Sequence, residues 1–100
     1  MARHPVHPGE ILGDELAELG VNATELARQL SVPHNRITQI IQGKRAVSGD
    51  TALRLGHWFG TIAVFWMNLQ AMYDVAVAER ESGAEVARLP NREVNSVSQV

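Results

Sequence analysis

Residues 23–42 read ATELARQLSVPHNRITQIIQ, and the organisation of the chain turns on this stretch. Leu26, Ala27 and Leu30 recur at helical spacing in its first part, and Ile37, Ile40 and Ile41 in its second. The pattern predicts helices over 23–30 and 33–42, joined by Ser31 and Val32 alone. Asn22 followed by Glu25 has the spacing of a capping box at the first start. Pro33 has the fixed φ that suits the second.

So short a link makes the two helices cross steeply. The crossing needs a small residue on the first helix, which is Ala27, and an aliphatic residue to fill the gap at the turn, which is Val32. Ile37 and Ile40 then plug the second helix into the core. Ala27, Ser31, Val32, Ile37 and Ile40 thus read as the core of a helix-turn-helix. The opposite face of the second helix carries His34, Asn35, Arg36, Thr38 and Gln39, all able to hydrogen-bond and none acidic. Asn and Gln can pair with adenine through two hydrogen bonds, and Arg or His can donate to guanine or to phosphate. The Gly43-Lys44-Arg45 turn follows where a phosphate backbone would pass. Helix pairs with a tight turn also occur in bundles that bind no nucleic acid, so the spacing by itself leaves both readings open.

Charge weighs between them. The formal charge of the 100 residues is −2. Residues 21–60 nevertheless carry Arg28, Arg36, Lys44, Arg45 and Arg54 against Glu25 and Asp50, a local balance of +3, between flanks at −3 (1–20) and −2 (61–100). A polyanion would meet the middle and a basic partner the flanks. Glu10, Asp14 and Glu18 line one face of the segment before residue 20, either as a solvated face or as a surface for such a partner.

Outward from the central pair, three more helices are expected and no strand. One spans 8–19, with Pro8 at its start, Leu12, Leu16 and Leu19 as a buried stripe and Gly20 as its stop. One spans 49–59, between Ser48 and Gly60. The last spans 62–80 or beyond, capped by Thr61, weakened at Gly83 and ended before Pro90. The chain therefore reads as one all-α domain over 1–89, with a polar tail over 90–100 expected to be mobile. Both tryptophans and both phenylalanines lie between Trp58 and Trp66. Core and dimer interface are equally good readings of that cluster. Phe65, Trp66, Leu69, Met72 and Tyr73 are the interface candidates.

Composition narrows the chemistry. Hydrophobic residues make up 45% and charged residues 20%, ordinary for a soluble globular chain. No apolar run approaches the roughly 18–20 residues of a bilayer span. Nothing behind Met1-Ala2-Arg3-His4-Pro5 resembles a secretory signal. The absence of cysteine excludes disulfides and a thiol nucleophile, and agrees with a cytoplasmic location. His4, His7, His34 and His57 lack metal-ligand spacing on any one helix face. No catalytic set is visible, so no enzymatic activity, cofactor or metal is expected.

The chain resembles the HigA (also called VapI) family of antitoxins, within the lambda-repressor-like helix-turn-helix proteins. The resemblance runs through His7-Pro8-Gly9-Glu10-Ile11-Leu12, Leu26-Ala27, Val32-Pro33, Asn35-Arg36-Ile37 and Gly43-Lys44-Arg45. It continues through Asp50-Thr51-Ala52-Leu53-Arg54-Leu55, Phe59-Gly60-Thr61, Phe65-Trp66 and Asn68-Leu69-Gln70, so that it covers residues 7 to about 76. It implies a five-helix DNA-binding fold with a C-terminal extension, a homodimer, and binding to a palindromic operator in double-stranded DNA upstream of the protein's own operon. It also implies a partner, a small basic ribosome-dependent ribonuclease toxin of the RelE-like class. Carried over residue by residue, base contacts fall to His34, Asn35, Thr38 and Gln39, and DNA phosphate contacts to Asn22, Arg36, Lys44 and Arg45.

The sequence departs from the family pattern at three places. Ser31 stands where glycine is common, which costs on the order of 1 kcal/mol if φ is positive there. His34 stands where arginine is common, which ties that contact to imidazole protonation. Ile62-Ala63 replaces Ser-Pro, which leaves Thr61 to cap the last helix. Two other functions remain to be set against the antitoxin: a helix-turn-helix regulator with no toxin, and a module that binds only protein.

Overall fold

A computed structural model describes residues 4–92. Five helices follow one another: α1 Pro8–Leu19, α2 Ala23–Leu30, α3 His34–Ile41, α4 Gly49–Phe59 and α5 Ala63–Ala87. No strand occurs among the described residues. The expected tail lies outside them from residue 93 onward.

Three of the connections share one device. After α1, Gly20 N–H bonds to the Ala17 carbonyl and Val21 N–H to that of Leu16. After α2, Ser31 N–H bonds to Arg28 and Val32 N–H to Ala27; after α3, Gly43 N–H bonds to Ile40 and Lys44 N–H to Gln39. Each is a Schellman turn, in which a residue with left-handed backbone closes the last carbonyls of the helix. Gly20 and Gly43 take that conformation without cost, whereas Ser31 takes it at φ 58°. The tight turn therefore rests on a serine in the left-handed region, and Val32 behind it packs onto the core.

That core comprises Leu12, Leu16, Leu26, Ala27, Leu30, Ile37, Ile40, Val47, Ala52, Leu55 and Trp66. α3 lies on α2 and α1, and α4 lies on α5 and α2. Gly9 sets how closely α1 and α3 approach, since a Cβ there would stand 1.7 Å from the Ile40 carbonyl oxygen. Backbone faces backbone at that point, so no rotamer change relieves the clash.

The helix ends differ from expectation in several places. Pro33 and Gln42 flank α3 instead of belonging to it. Thr61 does not cap α5: its N–H closes α4 on the Gly56 carbonyl at 2.9 Å, and α5 starts one residue later than a cap at Thr61 requires. Ile62 takes the cap position with no side-chain bond. α5 runs through Gly83 to Ala87. A mid-helix glycine costs only about 1 kcal/mol, and Glu79, Glu81, Ala84 and Glu85 around it are good helix formers. Leu19 leaves the buried stripe of α1 and stands 54% exposed, while Val21 after the turn packs on the core in its place. Asn22 accepts from Glu25 N–H, but the Glu25 carboxylate turns to Arg28 and Gln29, so only half of the capping box forms. A full box forms at α1, where His7 Nδ1 accepts from Gly9 N–H and Glu10 accepts from His7 N–H.

Ser31→Gly is expected to stabilise the domain by about 0.5–1 kcal/mol, read as a thermal midpoint a few degrees higher. Gly9→Ala is expected to cost at least the upper end of the ~1–3 kcal/mol of overpacked cores. An unchanged midpoint in either variant would contradict the corresponding turn or crossing.

Candidate nucleic-acid interface

The outer face of α3 is built by the two buried side chains of its inner face. Ile37 and Ile40 are both fully enclosed, which points His34, Asn35 and Arg36 away from the core. His34 and Asn35 are exposed. Thr38 is half-buried, and its hydroxyl turns back within 3.4 Å of the His34 and Asn35 carbonyls. Gln39 is half-buried, and its Oε1 accepts from Arg45 Nε at 2.9 Å. Asn22 is exposed at the start of α2, its oxygen engaged at 2.8 Å by the Glu25 N–H.

Ion pairing decides where the positive charge is free. Arg36 Nη1 donates to Asp50 Oδ2 at 2.7 Å, and Arg54 Nε donates to the same oxygen at 2.9 Å. The Arg54 and Arg36 guanidiniums hold the Asp50 carboxyl below its ordinary range. Arg54 also donates from Nη1 to the Leu30 carbonyl at 2.8 Å, closing the end of α2 onto α4. Arg28 and Gln29 pull the Glu25 carboxyl down to about 2. Of the five cations between residues 21 and 60, Lys44 and Arg45 are thus the two with no carboxylate partner among the described residues. Both are exposed, and both sit in the turn directly after α3.

Behind this turn lies a support that sequence reasoning did not single out. Gln70 of α5 is buried, accepts from Val47 N–H at 2.7 Å and donates to Asp74 at 2.9 Å. It satisfies a backbone donor of the α3–α4 loop that would otherwise be buried unpaired. His7 is the second such residue. Its ring is buried, stacks edge-on against Tyr73 at 4.8 Å and faces the backbone of Arg45. The signals were present: Gln70 is a polar residue four positions after Trp66 on the inner face of α5, and His7 precedes Pro8 with Glu10 three residues on. Desolvation lowers the pKa of His7, against the opposing pull of Glu10, Asp74 and the Arg45 backbone.

The interface candidates on α5 divide. Trp66 is 1% exposed within the chain itself, packed against Phe59 and Phe65, and has no surface to offer a partner. This corrects its place among them. Leu69 and Tyr73 are half-buried, while Phe65 and Met72 remain exposed. Among the described residues no group of His, Asp or Glu could hold a metal ion, and no helix is long and apolar enough to cross a membrane.

Five helices of this order, with α2 and α3 joined by a tight turn and α3 presenting a polar outer face, define a lambda-repressor-like helix-turn-helix domain. No protein-family model matches the chain. It is 44% identical over 77 residues to virulence-associated protein I of Dichelobacter nodosus, covering 76% of this chain and 71% of that protein. An addiction-module antidote protein of the HigA family from Coxiella burnetii superposes with a TM-score of 0.88 at 43% identity, over 91% of this chain and all of the other. The Pseudomonas aeruginosa antitoxin HigA, solved with the higBA promoter, superposes with a TM-score of 0.87 at 40% identity over 91% of this chain. The chain belongs to the HigA family of helix-turn-helix antitoxins.

The stabilising contribution of His7 belongs to its neutral form, because Nδ1 must accept from Gly9. With the folded pKa below the free value of 6.5, that contribution is complete above pH 6.5 and fades as pH falls through the folded pKa. The thermal midpoint is expected to drop between pH 7.5 and pH 5 by more than in His7→Asn, which can cap but does not titrate. Parallel curves for the two proteins would rule this out.

Proposed function

We propose that the chain is a sequence-specific DNA-binding antitoxin, which as a homodimer represses its own operon and neutralises a small basic ribonuclease toxin of the RelE-like class. The observation that carries the reading is the outer face of α3. It is polar and free of acid, and it ends in Lys44 and Arg45, which have no carboxylate partner among the described residues. Its similarity to an antitoxin solved with promoter DNA supports the same reading.

In this reading α3 enters the major groove. His34, Asn35, Thr38 and Gln39 face base edges, while Lys44, Arg45 and Asn22 anchor the phosphate backbone. Arg36 is held by Asp50, so it reaches phosphate only by sharing or leaving that carboxylate. A dimer on a palindrome places its two α3 helices about 34 Å apart, one turn of DNA. The exposed apolar side chains of α5, Phe65 and Met72 among them, supply surface for the second copy. The exposed Glu10, Asp14 and Glu18 of α1 supply a surface of opposite sign for a basic toxin, away from the recognition helix in sequence and charge.

Titration against the chain's own upstream DNA, beside a scrambled duplex at two salt concentrations, tests the DNA half. Log affinity is expected to fall with log salt at a slope near −0.9 per phosphate neutralised. Lys44→Ala is expected to weaken all duplexes alike and to flatten that slope by about one, while Asn35→Ala is expected to cost ~1–3 kcal/mol at one base position. Equal losses on specific and scrambled DNA for both variants would misplace the reading face. Co-purification with the product of the neighbouring gene tests the toxin half, and its failure alongside specific DNA binding would leave a regulator without a toxin.

A further inference from the structure

His7 joins two parts of the molecule that lie far apart along the chain. Its ring is buried, and Nδ1 accepts from Gly9 N–H at 2.9 Å, which caps α1. A neutral imidazole whose Nδ1 accepts carries its proton on Nε2, so the ring has one donor left. The Arg45 backbone takes it. That bond favours the protonated ring, as a carbonyl accepting from a ring N–H does. Gly43 lies against the same ring, since a Cβ there would stand 3.9 Å from its Cγ. Tyr73 of α5 packs on it edge-on, with 4.8 Å between centroids.

The consequence falls on the cations of the turn. Gly43 and Arg45, the residues on either side of Lys44, both rest on this one buried ring. Between them, Lys44 N–H is held by the Gln39 carbonyl at 2.8 Å. The side chains of Lys44 and Arg45 are exposed and have no carboxylate partner among the described residues, so no ion pair helps to place them. Where the two charges start is set by the backbone of the turn. A turn without its seat on His7 would be ordered only on meeting DNA, and the free energy of that ordering would be subtracted from binding.

We propose that His7 is a positioning residue for DNA binding: it ties the start of α1 to the turn after α3 and so presets Lys44 and Arg45 against the phosphate backbone. The proposal rests on the DNA-binding reading above and adds to it a residue buried beneath the surface that meets DNA. One ring then has two separable jobs, the cap at Nδ1 and the tie at Nε2. Asparagine can place an amide oxygen near the position of Nδ1 and has nothing at that of Nε2. Glutamine can place its NH2 near the position of Nε2 and loses the cap.

The test measures thermal midpoint and DNA affinity at pH 7.5 for the full chain, His7→Asn and His7→Gln, on the chain's own upstream duplex and a scrambled one. His7→Asn is expected to keep a midpoint near that of the unaltered protein. It is expected to lose roughly threefold to tenfold in affinity on both duplexes alike, the scale of ordering one side chain on binding. His7→Gln is expected to melt a few degrees lower for want of its cap, yet to recover affinity relative to His7→Asn below its midpoint. The two readouts therefore rank the variants in opposite order, which a residue that only stabilised the fold could not produce. In a Lys44→Ala, Arg45→Ala background, His7→Asn is expected to change affinity no further, because the charges it positions are gone. The proposal is overturned if His7→Asn binds as tightly as the unaltered protein, or if affinity follows the midpoint in both variants. A loss in His7→Asn that persists without Lys44 and Arg45 overturns it as well. Failure of the unaltered protein to distinguish upstream DNA from the scrambled duplex would overturn the DNA-binding reading itself, a different result from any of these.

Discussion

α3 is eight residues long and buries two side chains completely, Ile37 and Ile40. A helix of that length does not hold together alone in water, so its existence and its aim both depend on how it is gripped. The grip is the close seating of its last turn on α1, where Gly9 lets the backbone of one helix meet the Ile40 carbonyl of the other. The Schellman turns at Ser31 and Gly43 fix the chain at either end. Every polar residue of the outer face takes its direction from this clamp.

The clamp extends into the charge distribution. Asp50 at the start of α4 gathers Arg36 and Arg54, and Arg54 reaches on to the last carbonyl of α2. These exposed pairs contribute little to stability individually, as surface ion pairs generally do. Their effect is spatial. They quench the cations on the flanks of the helix pair and leave the positive charge concentrated in the turn after α3. Gln70 and His7 hold that turn from beneath, one through a hydrogen bond to Val47 N–H and the other through its ring against the Arg45 backbone. The free charge therefore sits on a supported loop.

Much of this was legible in the residues. Apolar spacing locates all five helices, and the Ala27, Ser31, Val32, Ile37 and Ile40 set identifies the central pair. The positive φ raised for Ser31 is present. What escaped depended on competition between neighbours. Thr61 is a good capping residue by type, yet it belongs to the turn that closes α4, and α5 starts one residue too late for it to cap. Glu25 has capping-box spacing, yet Arg28 and Gln29 offer its carboxylate stronger partners. Leu19 keeps the period of its helix but stands exposed, while Val21 beyond the Gly20 turn packs on the core. In each case a local rule identified what a residue can do, and a neighbouring group outside that rule decided what it does.

The sequence by itself determined the class of fold, the order of the helices and the polar, acid-free composition of the outer face of α3, because periodicity and turn chemistry are local properties. Only the tertiary structure decided which of those polar groups are free. It committed Arg36 to Asp50 across α3 and α4, turned the Gln39 carbonyl to Arg45 and enclosed Trp66 within the chain. Hydrogen bonds and ion pairs join residues that are close in space, and α3, α4 and α5 come together only when the core they share excludes water.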